Sequence, residues 1–287
     1  MPSASPFKVG DNVAVNRTSA HLGDPRFGAF QKYALASTSS LAVLPPSVDL
    51  VGAGASILNL AAVVSALHIH LGLPLPPVSL PSSSSNTVGQ SGEKKKKVLV
   101  YGGSSSCGGL AVRYLLTAGI DVVTTSSPQN NDFVASLGKD LTSSGLHIID
   151  HKASKEEIIE ALGKNGPYDA VFDSIGLPPV TDIVSTYLDS VGGGSYNTLI
   201  PHMGEKPVPE SVERKFAAYS WAFDEEKWKD IRDWFYGEYM TKGLESGVVV
   251  PTRVHEIEGG LAKVQEALDL MLKGGVSGRK LVMDPWA

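Results

Sequence analysis

Residues 98–110 read VLVYGGSSSCGGL, and the fold turns on how they are understood. VLVY is a short apolar run closing on two glycines, the form of a buried parallel strand. Beyond it Leu110, Ala111, Tyr114, Leu115 and Ala118 recur at helical spacing up to Gly119, a plausible C-cap. A strand stops, glycines permit a tight turn, and a helix starts at once. The unpaired N–H groups of that helix and the positive end of its dipole then face whatever lies above the turn, an arrangement suited to a diphosphate. Ser104, Ser105 and Ser106 can add hydroxyl donors, and Cys107, Gly108 and Gly109 complete the turn. The spacing is not G-x-G-x-x-G, so the reading rests on the strand–turn–helix context. A glycine-rich turn with no ligand is the plain alternative.

Downstream, apolar runs of strand length alternate with helical patterns. Strands are expected at 121–125 (DVVTT), 147–150 (HIID), 170–173 (AVFD) and 193–200 (GGSYNTLI), with helices at 131–137, 156–162 and 180–188. Such alternation implies right-handed crossovers and an α/β fold with a doubly wound parallel Rossmann sheet. The end of the second strand bears on which nucleotide fits. Domains that hold NAD usually place Asp or Glu there for the ribose 2′-hydroxyl. Here Ser126, Ser127, Pro128, Gln129, Asn130 and Asn131 follow, and hydroxyls and amides can hydrogen-bond a 2′-phosphate that a carboxylate would repel. NADPH is favoured over NADH on this ground, although no Arg or Lys stands in the segment to pair with the added charge. A solvated Ser/Asn turn is the alternative.

Upstream, VAV at 13–15, FQKYAL at 30–35 and LAVL at 41–44 read as short strands, and 53–71 as a helix with Leu60, Val63, Val64 and Leu67 on one face. Residues 74–97, PLPPVSLPSSSSNTVGQSGEKKKK, have the composition of a flexible linker. After the sheet come an aromatic-rich stretch over 223–240, a strand at 254–257, an amphipathic helix over 260–272 and a last strand at 280–283. The 287 residues, 42% hydrophobic, suffice for one large or two modest cores. A net charge of −5 without an arginine-rich patch argues against nucleic acid as the main partner. The single cysteine, Cys107, excludes an internal disulfide and suits a reducing, cytoplasmic setting. The apolar stretch over 48–73 is broken by Asp49, Asn59, His68 and His70, which disfavours a membrane span.

Together these blocks resemble the medium-chain dehydrogenase/reductase superfamily, nearest to its zinc-independent quinone-reductase and fungal trans-acting enoyl-reductase branch. FKVGDNVAV at 7–15 is similar to that family's first-domain strand, GAFQKYAL at 28–35 to its following strand, and LAVLPPSVDL at 41–50 to the lead into the helix beside the cofactor. Residues 101–138 carry the most specific likeness, with IIDHK, YDAVFDSIG and GGVSGRKLVM as further landmarks. The resemblance implies a partial GroES-like β-rich domain over 1–73, a linker or insertion over 74–97, a nucleotide-binding domain over 98–240, and a tail over 241–287 returning to the first. Family members usually carry several dozen further residues ahead of the first strand, so the resemblance implies a first domain without its usual front segment here.

By resemblance Ser104–Gly109 contact the diphosphate, Ser127, Asn130 and Asn131 the adenosine phosphate, and Ser174, Ile175 and Gly176 the neighbouring ribose. Leu199 and Ile200 bring backbone to the nicotinamide, and Lys280, with Gly278 beside it, closes the cleft. His151 stands where relatives carry an aromatic ring near the adenosine. The implied activity is NADPH-dependent reduction of an enone, enoyl thioester or quinone, with a hydrophobic small-molecule or acyl substrate and a homodimer joined at the sheet edges. A bound nucleotide without catalysis, in a regulatory protein or pseudoenzyme, is one rival; a cofactor-independent dehydratase or isomerase in the same cleft is another. No catalytic residue is assigned: Tyr33 and His21 are the nearest proton-donor candidates. No metal is expected, because His68 and His70 diverge on their helix and the remaining histidines lack ligand spacing. Cys107, at a helix start, is a candidate for a lowered pKa or a plain packing residue.

Overall fold

A computed structural model describes residues 7–80, 94–142 and 144–287. Near the start, β1 (Val13–Val15) pairs antiparallel with β2 (Leu41–Val43). The helix α1 (Leu50–Val64) begins three residues earlier than its apolar spacing suggests, because the Asp49 carboxylate accepts the Val51 and Gly52 amides at 3.0 and 3.1 Å. It runs on as a π-helical turn, Ser65–His70. The combined helix is long and apolar enough to cross a bilayer, yet 67% of its most apolar window is buried inside the protein, as befits a core helix.

From there strand and helix alternate: β3 (Lys97–Tyr101), α2 (Ser106–Thr117), β4 (Asp121–Ser126), α3 (Asn131–Ser136), β5 (Leu146–Asp150), α4 (Lys155–Asn165), β6 (Ala170–Asp173), α5 (Pro178–Ser190), β7 (Gly194–Thr198) and β8 (Val212–Phe216). These six strands form one parallel sheet in the order β5-β4-β3-β6-β7-β8. Numbered from β3, that is 3-2-1-4-5-6, the order of the doubly wound dinucleotide fold. Both faces are covered, which explains the unbroken apolar run of β3. Val98 and Val100 face one core with α1, α2 and the aromatic tail, while Leu99 and Tyr101 face the other with α4 and α5.

The remainder is α6 (Lys229–Trp234), a π turn (Phe235–Tyr239), α7 (Met240–Ser246), β9 (Val254–Glu256), α8 (Val264–Leu272) and β10 (Lys280–Val282), with β9 and β10 pairing in parallel. Phe223, Phe235, Tyr236, Tyr239 and Met240 are buried against α1 and α2. The buried Arg113 of α2 ties the tail to this core by donating to the Val248, Gly247 and Leu137 carbonyls at 3.2, 2.6 and 2.8 Å.

One expectation needs correcting, and one strand lies outside the expected set. Residues 30–35 form bends, not a strand: Phe30, Tyr33 and Leu35 are exposed, and Gln31 turns its amide back onto the Pro25, Arg26 and Gly28 carbonyls. β8 is a strand that the sequence pattern did not reveal. Of the segment read as a linker, residues 81–93 lie outside the described residues. At either side the chain is tethered: the Pro74 and Val78 carbonyls accept from Tyr114 and Ser246, and Lys95 pairs with Asp121 at 2.5 Å.

Candidate functional site

The β3–α2 turn is built by two glycines that tolerate no side chain for different reasons. Gly102 has φ of +89°, a left-handed conformation costly for any residue with a Cβ. Gly108 lies one helical turn into α2, where a Cβ would run into the Gly102 carbonyl, so the helix can approach the strand only without one. Ser105 is the N-cap, its Oγ accepting the Gly108 amide at 2.9 Å. The Gly102, Gly103 and Ser105 amides are taken by Thr125 and the Gly102 carbonyl. Among the described residues, the amides of Ser104, Ser106 and Cys107 have no protein acceptor and form the open anion-binding end of α2.

The three serines differ more than their sequence suggests. Ser106 Oγ is held by Asn59 of α1 at 2.6 Å and by Thr252 Oγ1 at 2.8 Å, and Ser105 Oγ also meets Ser174 Oγ at 2.9 Å. Only Ser104 leaves its hydroxyl uncommitted among the described residues. Asn59 and Thr252 are thus parts of the site that sequence reasoning missed; each lies in a segment remote from the glycines. Cys107 points into the protein, and burial pushes its thiol up to about 12 even though Lys280 nearby acts in the other direction. The shift is opposite to the lowering considered for a helix start, because burial desolvates the thiolate.

A narrow cleft opens over this turn, lined by the three serines, Gly109, Leu110, Phe133, the 250–253 segment and Gly278, with no carboxylate on its walls. At its β4 side Ser127 and Asn130 are buried, Asn130 Nδ2 donating to Ser127 Oγ at 3.0 Å. Asn130 Oδ1 accepts from Arg253 Nη2 at 2.7 Å, and the Arg253 guanidinium lies 3.9 Å over the Phe133 ring. No spacing rule pointed to Arg253; the tail carries it in. Asn131 starts α3, with a buried Oδ1 that has no partner.

On the other side of β3 the Ser174–Gly176 turn sits beside the Leu199–Ile200 backbone. A Cβ on Gly176 would meet the Ile200 side chain, so the two loops touch. Asp173 Oδ1 holds the turn through the Ile175 and Gly176 amides, both at 2.9 Å, and Arg214 of β8 donates to the Gly176 and Pro201 carbonyls at 3.2 and 3.4 Å. The structure therefore brings the serine turn, Ser127–Asn131, Ser174–Gly176 and Leu199–Ile200 to the carboxyl ends of the sheet, where doubly wound folds bind ligands. His151 follows β5 half-buried, outside the cleft lining. Lys280 is half-buried with Nζ bonded to the Ala55 carbonyl at 2.9 Å, so it braces α1 rather than reaching freely into the cleft. Of the proton-donor candidates, Tyr33 is 80% exposed with its ring edge-on to Trp286, and His21 stacks on Phe27 at 3.8 Å; neither lines the cleft. His68 bonds the Leu73 carbonyl and His70 packs on Tyr219. Among the described residues no three His, Cys, Asp or Glu stand close enough to hold a metal ion.

No family model matches the chain. The trans-enoyl reductase himH of Aspergillus japonicus is 29% identical over 281 residues, covering 97% of this chain and 75% of that protein. In structure the chain matches a quinone oxidoreductase of Pseudomonas syringae with a TM-score of 0.66 at 17% identity, over 97% of this chain and 76% of that one. A mycobacterial protein solved with NADPH matches with a TM-score of 0.58 at 18% identity, over 87% and 69%.

Proposed function

We propose that the chain is a member of the medium-chain dehydrogenase/reductase superfamily and an NADPH-dependent oxidoreductase reducing an activated C=C bond or a quinone, a reading supported by its likeness to a trans-enoyl reductase and to a quinone oxidoreductase fold. The observation that carries this reading is the α2 start: three unclaimed amides beneath a cleft with no acid on its walls. A diphosphate fits that cradle, and a dinucleotide held there extends along the carboxyl ends of β4 and β6. Ser127, Asn130 and Asn131 receive the adenosine phosphate, and Ser174–Gly176 with Leu199 and Ile200 flank the two riboses and the nicotinamide.

When bound, NADPH supplies the hydride for the conjugated carbon. The chain's own residues orient and enclose. Asp173 and Arg214 fix the loops that would flank the nicotinamide, and the buried aromatic tail packs over the face of the sheet that carries α1 and α2. Relatives named as trans-enoyl reductases favour a conjugated enoyl substrate, hydrophobic or thioester-bound. A homodimer through the β8 edge suits a sheet that ends on that strand.

Titrating the protein with NADPH while following its fluorescence, then adding an enone, enoyl thioester and quinone panel at the NADPH absorbance band, tests the proposal. Saturable binding followed by substrate-dependent loss of NADPH is the expected result. Binding without turnover of any class would reassign the chain as a nucleotide binder, and no binding would end the dinucleotide reading.

A further inference from the structure

We infer that Arg253 is the specificity-determining residue for the cofactor, the cation that recognises the ribose 2′-phosphate of NADPH; this rests on the dinucleotide reading above. The turn after β4 is the place where this fold meets the adenosine ribose, and its own residues, Ser126–Asn131, contain no cation. Arg253 arrives there from the tail and bonds Asn130, which in turn bonds Ser127. Arg253 lines the cleft with the three serines but hydrogen-bonds none of them; its side-chain hydrogen bond goes to Asn130 of the turn after β4, which anchors its charge on the ribose side of the serine turn.

The surroundings are those of a cation awaiting an anion. No carboxylate pairs with Arg253 among the described residues. Its Nε is buried without an acceptor, an arrangement that costs free energy unless something completes it. Arg279 on the facing loop adds a second positive charge, and burial together with that repulsion lowers the Arg253 pKa. The guanidinium carbon lies 3.9 Å from the centre of the Phe133 ring, and its planar fork keeps its remaining N–H groups in one plane. Gly278 closes the other wall with φ of +61°, and any Cβ there would strike Arg253 and Asn130. A planar fork with no carboxylate partner among the described residues matches a phosphate dianion, and a bare 2′-hydroxyl gains little from it.

Calorimetric titration of the full chain with NADPH and NADH, for the unaltered protein, Arg253→Met and Arg253→Lys, tests the inference. Met keeps the packing on Phe133 while removing the charge. It is expected to weaken NADPH binding about tenfold or more and NADH binding by less than about threefold, as loss of a charge-assisted contact should. Lys, which keeps the charge and loses the fork, is expected between the two. Equal weakening of both dinucleotides, or none for NADPH, overturns the inference while leaving the dinucleotide site intact. Failure of the unaltered protein to bind either overturns the underlying reading as well. Should the variants not fold, competition on the unaltered protein decides: adenosine 2′-monophosphate should displace NADPH at about tenfold lower concentration than adenosine 5′-monophosphate, and equal displacement overturns the inference.

Discussion

Asp173 has two oxygens with unlike fates. Oδ1 accepts two amides of the Ser174–Gly176 turn, while Oδ2 is buried with no hydrogen-bond partner. Burial raises its pKa, and the two amides and the Arg214 charge only partly offset this. A carboxyl whose folded pKa lies above its unfolded value binds more protons folded than unfolded in the interval between the two. Its contribution is therefore fully present below the unfolded pKa and is lost as pH rises through the folded pKa. Asp173→Asn keeps an oxygen for the amides and removes this titration, so its stability relative to wild type should increase as pH rises from about 4. Urea melts of the two proteins at matched pH values check this, and a constant difference would deny the raised pKa. Asp173→Ala, which orphans both amides, is expected to cost about 1–3 kcal/mol. The thiol of Cys107 offers a second residue-scale check: with its pKa at about 12, alkylation at pH 8 should be slow in the folded protein and rise on unfolding. Some of this detail was legible from spacing alone, since the glycines announced the turn. The partners were not. Asn130 and Arg253 are 123 residues apart, and Asn59 and Ser106 are 47 apart; no local pattern encodes which side chains the tail or α1 will deliver.

Elements proved legible where one physical signal dominated. β3 and β6 are apolar on both sides because helices cover both, and α4 starts at Ser154 because its hydroxyl and the Glu157 carboxylate satisfy each other's backbone amides. Signals failed at the margins of the sheet. β8 reads VERKF, with only Val212 buried, because an edge strand has a neighbour in the sheet on one side alone and can carry charged side chains. FQKYAL has the alternation of a strand, yet nothing in the described residues pairs with it, and an isolated strand leaves its backbone groups unsatisfied. α1 shows the opposite case, a cap outranking periodicity. Asp49→Ala removes the acceptor of two helix-start amides and should cost about 1 kcal/mol in a denaturant melt, with the midpoint lowered and the slope unchanged. A change of slope would mean that the cap also organises the residues ahead of it.

At the scale of the molecule, the candidate cleft is a seam between three parts of the chain: the α2 start, Phe133 of α3 just beyond the turn after β4, and the tail at 250–253 and 278. A ligand in that seam bridges segments that otherwise meet through a few hydrogen bonds, whereas the α4–α5 face has its own core and no share in the cleft. Binding must therefore stabilise the parts unequally. NADPH at a hundred times its dissociation constant adds about 2.7 kcal/mol, which for a chain of this size raises Tm by about 4–5 °C. Amide exchange should slow most in the tail segments and in the turn after β4, and least in α4 and α5, because local opening of the seam now requires release of the ligand. Differential scanning fluorimetry and hydrogen exchange measured on one sample test both statements together. A Tm shift accompanied by uniform protection would place the dinucleotide elsewhere on the sheet. The gain should also shrink as salt rises for NADPH more than for NADH, since the charge on the ribose phosphate is the part of the interaction that the ionic atmosphere screens.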